Sequence, residues 1–133
     1  MLRRYVATYL SILLTLLCLD GIWLGFVAGD SYREAIGHVM GKDMPIWPWV
    51  LFYIAYVGAI LYLAVSVSSS KKHCAIRGAV LGMAAYGAYN LTNYSIIINW
   101  PLAITLQDWV WGTVLTATSA LVGGTVWQRL GSK

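Results

Sequence analysis

Charge is what this sequence has least of. Only 11% of its 133 residues are Asp, Glu, Lys or Arg, while 59% are apolar. A water-soluble domain needs about a quarter of its residues charged, so this composition excludes a mostly water-facing surface and points to one integral membrane domain. Of the charged residues the acidic ones are fewer, five against nine Lys and Arg. Cysteine is nearly absent, which excludes a disulfide framework. Cys18 lies in an apolar run and Cys74 beside Lys71, Lys72 and Arg77, so both are expected to be free thiols acting as small apolar residues. The three prolines, Pro45, Pro48 and Pro101, fall at or just before expected helix starts, where a missing N–H costs least.

Several kinds of chemistry are also missing. There is no Gly-rich phosphate loop and no arguable Ser–His–Asp set. No Cys, His and carboxylate residues have metal-ligand spacing, and His38 and His73 are expected on opposite sides of a membrane. Neither a metal nor a cofactor is expected. The scattered basic residues read as topology signals and anionic-lipid contacts, not as a nucleic-acid surface. The sequons at 90–92 and 93–95 lie inside an expected span and are discounted.

What is present is a set of long apolar runs. Four can cross a bilayer, at about 20 residues each: about 5–27, 47–67, 78–98 and 108–127. The first exceeds a signal-peptide core, lacks an A-x-A-like site and has bulky Leu17 before Cys18, so it reads as a retained span. Arg3, Arg4, Lys71, Lys72, Arg77, Arg129 and Lys133 fall on one side, Arg33 and Lys42 on the other. By the positive-inside rule both termini are expected to face the cytoplasm. Trp47, Trp49, Trp100, Trp109 and Trp111 then gather at the outer boundary as an aromatic belt. In the first outer loop, Ser31 precedes Glu34 by three residues, a capping-box pattern. Tyr32, Ile36, Val39 and Met40 share a face, which predicts a short amphipathic outer helix, either a connector or a lid. The expected fold is thus an all-α membrane protein, a four-transmembrane-helix bundle with a short outer interfacial helix.

Asp20 sits inside the first run. At about 1.5 Å per residue it lies roughly 24 Å from Arg4. Counting from Arg77, Lys71 and Arg129 puts Asn93, Tyr56 and Gly112 in the same layer, with Asp108 one turn higher. Gly82, Tyr86, Tyr89, Asn90 and Asn93 share one stripe of the third span. Asp108, Gly112, Thr116, Ser119 and Gly123 share one of the fourth. Gly78 and Gly82 form a GxxxG that permits close helix contact. Asp20 is therefore expected to face protein, where it can carry a proton or accept hydrogen bonds from Asn93, Tyr86, Tyr89, Trp109 or Trp23. Asp108 is expected to cap the fourth span.

The segments LDGIWLG, YGAYNLTNYS and DWVWG resemble a bacterial membrane-protein family of unknown function, domain of unknown function 2177. The motif residues carried over are Asp20, Trp23, Leu24, Tyr86, Tyr89, Thr92, Asn93, Asp108, Trp111 and Gly112. The resemblance implies a four-span inner-membrane protein and supplies no chemistry.

Intramembrane ionisable residues are functional candidates by default. The leading expectation is binding, or proton-coupled transport, of a small apolar or amphipathic molecule in an outer-half pocket. Asp20, Trp23, Tyr56, Tyr86, Tyr89, Asn90, Asn93, Asp108, Trp109 and Trp111 would line it. One alternative is an assembly subunit or homo-oligomer, whose small-residue stripes face other chains. Another is a membrane enzyme with Asp20 and Asp108 as acid and base. Membrane lipids are the remaining expected partners.

Overall fold

The structure is a computed structural model that describes residues 1–131; Lys133, counted above as a basic residue, lies outside them. Five α-helices make up most of the chain. α1 spans Leu2–Ile22 and runs on through a π-helical turn, Trp23–Val27. α2 is Gly29–Ile36, followed by a 3₁₀ turn at Gly37–Val39. α3 is Trp47–Ala59 and continues as a π-helical segment, Ile60–Val65. α4 is Lys71–Ile96 and α5 is Leu102–Gly131. At least two of these segments, Leu2–Val27 and Trp47–Val65, are long and apolar enough to cross a membrane.

The helix boundaries have local causes. Pro48 occupies the first turn of α3, and Pro101 immediately precedes α5. Ser70 caps α4 by accepting the His73 backbone N–H at 3.2 Å. The turn between α4 and α5 uses Asn99 at φ 62°, a left-handed conformation that asparagine tolerates better than most residues.

Several expected boundaries move. The third helix starts at Lys71, not 78, because the Ser70 cap precedes the basic cluster. The fourth starts at Leu102, not 108, so Asp108 lies well inside α5 and is not its N-cap. The capping box of Ser31 and Glu34 does not form. The Tyr32 N–H already bonds the Ala28 carbonyl at 2.9 Å, because α2 follows directly on the π turn and leaves Ser31 little to cap. Of the expected apolar face, Tyr32 and Ile36 are half-buried, while Val39 and Met40 are exposed.

α4 and α5 form the closest pair. They run antiparallel, since Gly78 faces Thr116, Ala117 and Ala120 while Gly82 faces Gly112 and Thr116. Without side chains at these glycines the two backbones approach closely, and the many close contacts along the seam add up in dispersion. Both small-residue stripes are therefore used inside the chain. α1 packs on α5, with Ile12 against Gly123. Ile12, Leu16, Val57, Ile60, Val65 and Leu115 fill the centre.

Arg4 ties the two chain ends together. Its Nε donates to the Trp127 carbonyl at 2.8 Å, and its guanidinium lies 3.7 Å above the Trp127 ring centroid. Lys71 lies beside Gly124. The N-terminus, the α3–α4 turn and the end of α5 thus share one end of the molecule, the basic end. Asp20, Asp108 and α2 lie toward the other.

Candidate functional site

Asp20 turns into the protein. The Tyr53 hydroxyl donates to its Oδ2, and the Trp111 indole N–H donates to its Oδ1 at 3.1 Å. Neither Asn93, Tyr86, Tyr89, Trp109 nor Trp23 supplies either bond, which corrects the partners expected from sequence. Tyr53 lies on the same face of α3 as Tyr56 but one turn closer to the start of α3, so its long side chain reaches the carboxylate.

The second carboxylate has its own pair of donors. Tyr32, from α2, donates to Asp108 Oδ1. Asn90 Nδ2 donates to Asp108 Oδ2 at 2.6 Å and also to the Tyr86 carbonyl at 2.9 Å. Two acceptors on one nitrogen fix which end of the amide faces them. Asn90 is 0% exposed, and its Oδ1 has no hydrogen-bond partner. Burial, together with the bond to Asp108 and its charge, holds the Tyr32 phenol well above the ordinary tyrosine range.

Aromatic rings join the two centres. Trp23 stacks on Trp111 with centroids 4.4 Å apart and planes 5° from parallel. The π turn begins at Trp23, and π turns of this kind recur at functional positions in helices. The Trp23 indole N–H lies near the Tyr32 hydroxyl but short of hydrogen-bond geometry. The Tyr86 ring lies over Gly112, where any side chain would collide with it, and sits within electrostatic reach of both Asp20 and Asp108. Tyr56 meets Tyr86 edge-on at 6.2 Å. Tyr56 also bonds Thr116 Oγ1 at 2.7 Å; Thr116 spends its own hydroxyl proton on the Gly112 carbonyl, so Tyr56 is the donor.

Three candidate residues make their polar contacts away from the carboxylates. Tyr89 is 54% exposed and packs edge-on to Trp100, with Asn93 beside it, though it stays within electrostatic reach of Asp108. Trp109 covers Gly87 and donates to the Met83 carbonyl at 2.8 Å. Counting from Arg77 puts Asn93 level with Asp20, yet Arg77 lies within α4 and reaches back to the Leu63 carbonyl at 3.3 Å. Counting the same 16 residues from Lys71 arrives at Gly87, next to Tyr86. The belt also divides: Trp47 and Trp49 are exposed, whereas Trp100 is buried and Trp111 turns to Asp20.

Two open grooves border the region. One, about 430 Å³, is lined by Trp23, Leu106, Gln107, Val110, Trp111 and Val114. The other, about 440 Å³, lies between α4 and Trp109. Neither carboxylate is paired with a lysine or arginine among the described residues, where the ion pair found is Arg33–Asp30 on α2. The site is thus two carboxylates held by neutral donors, behind an aromatic wall that is also one side of an apolar groove.

Comparison with curated proteins and with solved structures finds no match. A family model does match, over residues 5–125, which is nearly the whole chain and includes both carboxylates and all their donors. The chain belongs to the family described as Predicted membrane protein (DUF2177), whose function is unknown.

Proposed function

We propose that all four long helices cross a bacterial inner membrane, and that the outer half binds a small apolar or amphipathic molecule arriving from the lipid. Arg3, Arg4, Lys71, Lys72, Arg77 and Arg129 lie toward the end shared by both termini, which by the positive-inside rule is cytoplasmic. α4 and α5 are less apolar than the other spans, but Asn90, Thr116 and Ser119 are buried, so these polar groups do not meet hydrocarbon.

The observation that carries the binding reading is the double position of Trp111. One edge of its ring holds Asp20, and the ring also lines the groove with Trp23. A molecule lying in the groove would touch the residue that orients the carboxylate. Apolar walls with a few convergent polar groups are the usual make-up of a small-molecule site. Proton coupling is the natural extension, because among the described residues no lysine or arginine pairs with Asp20.

The test is native mass spectrometry of protein extracted in its own lipid, wild type beside Asp20→Asn. A bound mass present in the first and diminished in the second is expected. Equal occupancy would remove Asp20 from the site. For a ligand so identified, binding should depend on pH in the wild type and lose that dependence in Asp20→Asn; an unchanged profile rejects the coupling. The assembly reading keeps less support, since the small-residue stripes it needed pack against each other within one chain.

A further inference from the structure

The polar groups around Asp108 are unbalanced. Its two oxygens accept from Tyr32 and Asn90, leaving about two of the four lone-pair directions of a carboxylate open. The fully buried Asn90 amide has a second acceptor, Oδ1, with no donor. An orphaned buried acceptor costs free energy that natural structures seldom leave uncompensated. Two buried indole N–H groups are unpartnered as well: that of Trp23, which lies near the Tyr32 oxygen, and that of Trp100, whose ring packs edge-on to Tyr89. Arg33, on the same helix as Tyr32, is largely exposed and turned to Asp30. Among the described residues the region therefore offers acceptors with no lysine or arginine paired to them, and it is flanked by Trp23, Trp111, Tyr86 and Tyr32.

We infer that the ligand of this outer-half site is an amphipathic primary ammonium, its N–H groups bonded to Asp108 and Asn90 Oδ1 and its alkyl chain in the Trp23–Trp111 groove. This inference rests on the binding reading above and narrows it to one chemical class. A positive head matches the uncompensated charge. N–H donors match the orphaned carbonyl, which a quaternary ammonium could not satisfy. Aromatic faces favour a cation. An anionic head would instead meet the Asp108 carboxylate and an acceptor.

The experiment uses the full chain in a non-ionic detergent, with dodecylamine, dodecyltrimethylammonium and dodecanol as probes at a pH that keeps the amine protonated. Affinity is read from the ligand-induced rise in unfolding temperature. A charge-assisted hydrogen bond separates amine from alcohol by about 10- to 100-fold, and the quaternary ammonium should fall between them. Asp108→Asn should erase the amine's advantage and leave dodecanol unchanged. Equal binding of amine and alcohol by the wild type overturns the ammonium assignment while the pocket stands, and this comparison needs no variant to fold. An Asp108→Asn protein that keeps the preference overturns it as well. If none of the three amphiphiles binds, the pocket itself is rejected.

Discussion

Gly82→Ala is the substitution the packing addresses most directly. A Cβ at Gly82 would lie 2.6 Å from the Gly112 carbonyl oxygen and 2.7 Å from both Cβ and Oγ1 of Thr116. Ordinary contacts between heavy atoms lie at about 3.5 Å, so α4 and α5 would have to part by about 0.8 Å. One obstacle is backbone, and the Thr116 hydroxyl is held by the Gly112 carbonyl, so neither can rotate away. A gap of that size forfeits a quarter to a half of each dispersion contact along the seam, and overpacking of this kind costs about 1–3 kcal/mol. The upper part of that range is expected, because the same seam seats Tyr86 on Gly112 and Asn90 on Asp108. The control is Gly58→Ala in α3, where a Cβ would meet nothing within 4 Å. There the greater helix propensity of alanine should leave stability level or raise it by up to about 1 kcal/mol. Thermal or denaturant unfolding in the same detergent measures both. If Gly82→Ala is no less stable than Gly58→Ala, α4 and α5 do not meet along this face.

Two further outcomes follow from particular contacts. Tyr32→Phe tests the contact of α2 with Asp108 by its pH dependence. The raised pKa of Tyr32 means that the unfolded chain releases this proton near the ordinary value of about 10 while the folded protein retains it. Stability tied to this group is complete below that pH and is lost as pH rises above it. Wild type should therefore lose stability more steeply than Tyr32→Phe in alkaline unfolding experiments; matching slopes would mean that Tyr32 is not buried on Asp108. Arg4→Lys keeps the charge but loses the bond to the Trp127 carbonyl and the planar stacking on its ring. It should cost about 1–2 kcal/mol, and a lysine variant as stable as wild type would show that charge alone secures the chain ends.

The helices were legible because apolar runs long enough to span have few other readings. The α4–α5 seam was legible too, since glycines and small polar residues recurring at helical spacing select one face each. The inward turn of Asp20 followed from the same periodicity. Its partners did not, for two reasons. Depth was counted from Arg77 as though it ended a span, but a long guanidinium can lie well inside a helix and reach a carbonyl across it. The start of α5 was hidden because Gln107 and Asp108 interrupt the hydropathy, although Pro101 marks it. Tyr53 and Tyr32 could have been found as phenols on the inner faces of neighbouring helices, but what each reaches depends on helix tilt, which periodicity does not contain.

Stability alone is a poor reason for this arrangement. Placing a carboxylate at depth costs about 2.5–3.5 kcal/mol on insertion scales, and interhelical hydrogen bonds in membranes return about 0.6 kcal/mol each on average. Asp20, in a segment long and apolar enough to span, receives two donors and does not recover its cost at that rate; if α5 spans as proposed, the same holds for Asp108. Replacing the pairs by packed apolar side chains would be cheaper, as it often is for buried charges in soluble proteins. Moreover, Tyr53, Trp111, Tyr32 and Asn90 each direct a polar group to a carboxylate, so all four would lose a partner if the acids were removed. Four side chains from four helices are thus committed to holding two carboxylates beside an open groove. That expense is intelligible if the charges act on something outside the chain, which is why a bound molecule, and a cationic one, is the first thing to look for.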